Sequence, residues 1–375
     1  MARVLVVDDS ALMRRLLGTV LGEAGFEVLT ARNGAEGLQR LIDDEPDVVT
    51  LDINMPEMDG LTALSLMMQA RPTPVVMVSS LTAQGAQATF EALALGAVDF
   101  IAKPDGTISL SLDAIAEVLV QKVRAASRAR LRGATRPAAP PPPVAAKPRP
   151  APAPVRTATA APGSRPAGGV GERLMAATQG ALRRCPGVVL VGVSTGGPRT
   201  LEDILPKLPA HFPWPVVIAQ HMPAHFTDAF ARRMDRFCAL AVREVNSTIP
   251  LEPGLICIGQ GGGDMVLTER LGRVVVQPRP ETPGHPWHPS VDVLVDSALD
   301  LLPAKQLIGV QLTGMGNDGA AAMTRLKAGG GRTIAESEET AVVFGMPQEL
   351  IQRGGASAVL PCQDIARQLN HWLGA

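Results

Sequence analysis

The chain is poor in the features that usually betray a compartment, a membrane or a polyanionic partner. Its four cysteines, Cys185, Cys238, Cys257 and Cys362, are scattered, with no C-x-x-C pair. That argues against a zinc site and a disulfide framework, and for reduced thiols in a cytoplasmic protein. No stretch approaches the ~20 apolar residues of a membrane span. The opening MARVLVVDDS reaches Asp8 and Asp9 after an apolar run too short for a signal peptide. A net charge of −1 gives the whole chain no pull toward nucleic acid or lipid. Acidic residues are missing altogether from Lys122 to Gly171, where ten Lys and Arg stand.

What is present falls into three parts. At 375 residues there is room for roughly two domains of ~100–200 residues each. Between them, 133–166 is dominated by Ala and Pro (PAAPPPPVAAKPRPAPAP). Proline removes backbone donors, and too few large apolar groups remain to offset ordering entropy. We read 1–127 as one domain, 128–184 as a linker and 185–375 as a second domain. The linker's basic charge suits an acidic surface, a phosphate-rich polymer or anionic lipid, but a solvated tether is the simpler reading.

In the first domain, apolar runs at 4–7, 27–30, 48–51, 75–78 and 100–102 alternate with helical patterns at 11–24, 34–43, 60–69, 84–95 and 110–127. Five β/α units predict a doubly wound (βα)5 parallel sheet, with a site beyond the carboxyl ends of its strands. Those ends carry Asp8-Asp9, Asp52, Ser79-Ser80 and Lys103-Pro104. Three converging carboxylates repel one another unless a hard divalent cation neutralises them, and oxygen ligands suit Mg²⁺. A lysine and a hydroxyl at the same edge can hold a phosphoryl group, and an Asp beside Mg²⁺ can accept one as an acyl phosphate.

The segments VLVVDDSALMRRLL, DVVTLDINMPEMDGL, VVMVSSLT and GAVDFIAKP resemble bacterial response-regulator receiver domains over about the first 125 residues. The resemblance implies that a histidine kinase phosphorylates Asp52, with Asp8 and Asp9 helping Asp52 to bind Mg²⁺. Ser79 and Lys103 match the positions that contact the phosphoryl group, and Phe100 falls at the aromatic switch position.

The second domain again reads as α/β and mostly parallel. Strands are expected at 188–193, 216–219, 255–258, 274–277, 307–312, 332–335 and 358–360, with antiparallel or irregular structure around 241–280. Helices are expected near 198–208, 225–237, 290–302, 318–328, 346–353 and 362–373, with Ser290 as an N-cap. Its first strand ends in VGVSTGGP, which fits both a nucleophile elbow and a glycine-rich anion cradle. A dinucleotide site needs an acid at the end of the second strand, but Gln220-His221 stands there. A P-loop needs a lysine that GVSTGGP lacks. A nucleophile needs a base, and His221 lies at a neighbouring strand end. Asp264, Asp292, Asp296 and Asp318 are candidates to orient it; only Asp318, in LTGMGNDGA, follows a strand of the same edge. Ser194, His221 and Asp318 therefore read as nucleophile, base and orienter. His221 and His225, spaced i,i+4, lack the Glu of a zincin helix. His285 and His288 read as surface or groove residues.

VGVSTGGP, AQHMPAHFTDAFARRMD, PSVDVLVDSAL, IGVQLTGMGNDGA and VVFGMP resemble the CheB family of chemotaxis receptor methylesterases, as does the order receiver, linker, esterase. The resemblance implies Ser-His-Asp hydrolysis of glutamyl methyl esters on the cytoplasmic domains of chemoreceptors, with glutamine deamidation in some members. The hydrolytic step needs no metal, whereas Mg²⁺ serves receiver phosphorylation. Two departures flank the site: Asp264 stands where the family commonly has His, and Trp287-His288 precedes PSVD. A phosphorylation-controlled binding protein without catalysis is the alternative. A nucleic-acid-binding output is not expected, since no basic recognition helix follows residue 185.

Overall fold

Five β/α units open the computed structural model, which describes residues 1–80, 82–103, 112–129, 131 and 185–375. Most of the expected linker, Pro104 and the start of the helix expected at 110 lie outside the described residues. Strands β1 (Arg3–Val7), β2 (Glu27–Ala31), β3 (Val48–Asp52), β4 (Val75–Ser79) and β5 (Asp99–Ala102) form a parallel sheet in the order β2-β1-β3-β4-β5. Helices α1 (Ala11–Glu23), α2 (Gly34–Asp44), α3 (Gly60–Ala70), α4 (Ala83–Leu95) and α5 (Leu112–Ala126) alternate with them. Every residue of β3 and β4 is buried, because helices cover both faces of the sheet. Ser10, Asn33, Asp59 and Thr82 cap the first four helices, each side chain accepting a backbone N–H of the first turn. The strand order reverses direction at β1, so a crevice opens outside the ends of β1 and β3.

The second domain is built on seven parallel strands. They are β6 (Val188–Val193), β7 (Val216–Gln220), β8 (Ala241–Val245), β10 (Leu255–Gly259), β13 (Leu307–Gln311), β14 (Arg332–Glu336) and β15 (Ala358–Leu360). Their order is β15-β14-β13-β6-β7-β10-β8. A three-stranded antiparallel sheet of β9 (Ile249–Pro250), β11 (Asp264–Arg270) and β12 (Arg273–Arg279) packs beside it. Thus the region expected to be antiparallel or irregular holds that small sheet and also a parallel edge strand, β8. β8 is only partly buried, with Ala241 and Arg243 exposed and Glu244 half-buried, as an edge strand allows, so it lacks the continuous apolar run of its neighbours. Helices α6 (Gly197–Ile204), α7 (Ala224–Phe237), α8 (Val291–Leu301), α9 (Ala320–Ala328), α10 (Met346–Gln352) and α11 (Cys362–Leu373) complete the domain. The chain enters at β6, builds outward to β8, then returns to lay β13 on the other side of β6. This reversal makes the ends of β6 and β13 the natural site. Among the described residues no helix is long and apolar enough to cross a membrane.

Candidate functional site

Register alone brings the second domain's three predicted residues to one edge. Val193 pairs with Gln220 across β6 and β7, and Gly192 pairs with Gln311 across β6 and β13. One step further, Ser194 N–H donates to Thr313 O at 2.9 Å, and His221 N–H donates to Val193 O at 3.0 Å. Ser194 thus stands between the ends of β7 and β13. Gly314 permits this closeness, since a Cβ there would lie 2.7 Å from Ser194 Cβ. His221 Nε2 lies 2.9 Å from Asp318 Oδ2. The other ring nitrogen, Nδ1, is buried without a hydrogen-bond partner.

Asp318 sits in a bed of donors at the start of α8. It accepts Ser290 Oγ–H at 2.9 Å, Val291 N–H at 2.7 Å and Asp292 N–H at 3.0 Å. Burial works to raise its pKa, but the His221 ring and the helix N–H groups outweigh it and hold the carboxyl below its ordinary range. Trp287 lies nearly parallel to the His221 ring, with centroids 6.1 Å apart and planes at 9°. It also covers Gly316, which has φ 90°; a Cβ there would come within 2.7 Å of the indole.

Asp264, considered from sequence as an orienter, does not meet His221; it pairs with His288 instead. The Asp264 side chain is fully buried. It accepts Thr282 N–H at 2.8 Å, Ser290 N–H at 2.7 Å and a bond from His288 Nδ1 at 2.8 Å. Asp292 accepts Ala322 N–H, and Asp296 pairs with Arg325. His285 Nδ1 lies 3.2 Å from Ser290 Oγ.

The first domain gathers a second constellation. Carboxylate oxygens of Asp8, Asp9 and Asp52 lie within 4.8 Å of one another, the only such group of three among the described residues. Lys103 Nζ is 2.8 Å from Asp52 Oδ2 and 3.1 Å from Asp8 Oδ2. Those two oxygens are buried, and Lys103 pairs with two of the three acids. Burial pushes the Asp52 carboxyl above its ordinary range, aided by Asp8 and opposed by Lys103. Burial works against the charge of Lys103, but Asp52 and Asp8 prevail and raise its pKa. The residues fit a hard divalent cation: oxygen donors only, partly desolvated, with uncompensated negative charge. Ser79 ends β4, but its hydroxyl is turned to α4, 2.9 Å from Thr89 Oγ1 and 3.2 Å from Gly85 O.

The two constellations are joined through β5. Phe100, 2% exposed, packs against Phe226 of α7 at 4.4 Å between centroids. Phe90 of α4 stacks on Phe230 at 5.4 Å. Asp99 accepts the hydroxyl of Thr195, the residue after Ser194, at 2.5 Å, and also pairs with Lys122 Nζ at 2.7 Å. Sequence reasoning missed these contacts. Phe226 and Phe230 lie one turn apart on the buried face of α7, where apolar spacing reads as ordinary core.

Residues 4–112 match the response regulator receiver domain family, and residues 189–369 match the CheB methylesterase family. The chain is 54% identical over 377 residues to the "Protein-glutamate methylesterase/protein-glutamine glutaminase 3" of Rhodospirillum rubrum, covering all of this chain and 96% of that one. It is 41% identical to the protein of the same activities from Archaeoglobus fulgidus, covering 99% of this chain and 98% of that one. Among solved structures, the Thermotoga maritima CheB methylesterase catalytic domain matches 50% of this chain and 98% of its own, at 39% identity and TM-score 0.48. The response regulator domain of Thermotoga maritima CheB matches 35% of this chain and 98% of its own, at 46% identity and TM-score 0.32.

Proposed function

The chain belongs to the CheB methylesterase family, with a receiver domain preceding the esterase, and from that premise we propose how its residues perform the reaction. It is a phosphorylation-regulated protein-glutamate methylesterase. In our reading Ser194 Oγ attacks the carbonyl of a glutamyl methyl ester on a chemoreceptor's cytoplasmic domain. His221 takes the hydroxyl proton at Nδ1, because Asp318 occupies Nε2. Asp318, held ionised by the α8 N-terminus, fixes that tautomer and offsets the imidazolium charge. The proton then passes to the departing methoxide, which leaves as methanol. Water, deprotonated by His221, attacks the acyl-serine and releases the glutamate with Ser194 restored. With a glutamine side chain the same sequence expels ammonia, which accounts for a glutaminase activity.

The single observation that carries this reading is the His221–Asp318 pair at the strand end beside Ser194, with the opposite ring nitrogen left over. Regulation enters at Asp52, the proposed phosphoryl acceptor from a histidine kinase. Asp8, Asp9 and Asp52 would hold Mg²⁺, which supplies charge neutralisation when bound, and Lys103 would pair with the phosphoryl oxygens. Ser79 would bind the same group after turning from α4, and Phe100 would act as the switch. Such a protein works in the cytoplasm, where receptor signalling domains lie.

Methanol release from a methylated receptor fragment tests the assignment. Ser194→Ala is expected to lose on the order of 10⁴-fold in turnover with its fold intact. Asp318→Asn is expected to lose on the order of 10³-fold, since an amide NH₂ would oppose either His221 and Val291 N–H or Ser290 and Asp292 N–H. Wild-type methanol release from Ser194→Ala would refute the nucleophile; a binding-only protein would release none in any form.

A further inference from the structure

The buried carboxylate of Asp264 takes no part in the proposed chemistry, yet it is fully satisfied and aimed at one loop. Its Oδ2 accepts the N–H of Thr282, and its Oδ1 accepts the N–H of Ser290 and pairs with His288 Nδ1. One side chain therefore grips both ends of the segment 282–290 and a ring within it. A buried carboxylate meeting three donors has a strong preference for a single arrangement, because releasing any donor leaves a desolvated charge short of a partner.

That segment carries two contacts to the hydrolytic residues. Trp287 lies parallel to His221, at 9° between planes and 6.1 Å between centroids. Ser290 donates its hydroxyl to Asp318 while capping α8, whose first N–H groups also bind Asp318. If the loop moves, the indole leaves the imidazole and the helix end shifts against the carboxylate together.

We infer that Asp264 is a positioning residue for the hydrolytic triad. Through the 282–290 loop it sets Trp287 against His221 and Ser290 against Asp318. It touches no reacting atom; it acts by holding the base and its orienter in register. This rests on the Ser194–His221–Asp318 reading given above. A displacement of about 1 Å in such a group costs on the order of 10²-fold in rate.

The test is steady-state methanol release by the full chain, with thermal melting of each variant. Asp264→Asn puts an NH₂ group where donors now point. It is expected to lower kcat about 10–100-fold and to change KM by less than about threefold, at a temperature where the variant stays folded. Ser290→Ala is expected to lose a similar factor, and Ser290→Thr, which keeps a hydroxyl, to recover most of it. The double variant Asp264→Asn/Ser290→Ala is expected to fall well short of the product of the single losses, because both act through one loop. Should Asp264→Asn fail to fold, His288→Ala removes only one of the three bonds and is expected to lower kcat several-fold. Unchanged kcat in the folded Asp264→Asn or in His288→Ala overturns the inference, as does a loss wholly in KM. Ser194→Ala, run in parallel, separates the outcomes: activity there refutes the triad itself, whereas an inactive Ser194→Ala beside a fully active Asp264→Asn refutes only the positioning.

Discussion

Replacing Thr195 by Val tests whether the docked receiver restrains the esterase. The substitution keeps the size of the side chain and deletes one buried hydroxyl, which donates to Asp99 across the domain contact at 2.5 Å. A hydrogen bond to a charged acceptor contributes about 1.5–3 kcal/mol, or roughly 10–150-fold in an equilibrium constant at 1.36 kcal/mol per tenfold. Lys122 Nζ and the Phe100 N–H still meet Asp99, each at 2.7 Å on Oδ1, so the carboxylate stays ion-paired although Oδ2 loses the Thr195 donor. The lower end applies, and docking should weaken about tenfold. The assay is methanol release by the full chain before and after treatment with a small phosphodonor. The unphosphorylated rate should rise about tenfold, or until it meets the phosphorylated rate, with KM unchanged. The phosphorylated rate is the internal control, because Thr195 adjoins Ser194; it should stay within about twofold of wild type. An unphosphorylated rate equal to wild type, with the phosphorylated rate intact, would show that this contact does not restrain catalysis.

Two further outcomes follow from the acidic pocket. Because burial raises the Asp52 pKa above its ordinary value, the folded receiver binds that proton more readily than the unfolded chain. The site's contribution to stability therefore falls as pH rises from the ordinary carboxylate value through the raised one. Asp52→Asn should accordingly raise the receiver's melting temperature at pH 7 and abolish the response to phosphodonor, and a lowered melting temperature would contradict the sign. EDTA should block phosphodonor labelling of Asp52 while leaving unphosphorylated methanol release unchanged; loss of that basal release would return His221 and His225 to consideration as metal ligands.

The strand ends were legible because β/α alternation has a simple grammar. A short run such as VVLVGV, rich in β-branched residues and followed by a glycine-rich turn, reads as a doubly buried strand, and the polar residue that follows it falls at the sheet edge. That logic put Asp8, Asp52, Lys103, Ser194 and His221 at or next to strand ends, and Asp318 in the loop after one, without any knowledge of strand order. It failed for groups whose role depends on which faces meet. Ser290 was legible as an N-cap, but nothing in PSVDVL says that its hydroxyl points at Asp318. Asp264 and His288 are far enough apart in the chain for their pairing to be invisible. The contact of Phe100 and Phe90 with α7 was hidden for a related reason, since periodicity reports that a face is buried and never against what. β8 escaped because Ala241 and Arg243 face solvent, and a mixed pattern over five residues is a weak signal.

β5 and the residue after it compress sensor and actuator into a single short rod. Lys103 grips Asp52, Phe100 leans on α7, and Asp99 holds Thr195, the neighbour of Ser194. At ~3.3 Å per residue these three stations span about 13 Å of extended backbone. Information need not travel along the covalent path between the halves, which are wired through space instead. The wiring constrains what can change over evolutionary time. The three stations must change in concert with their partners.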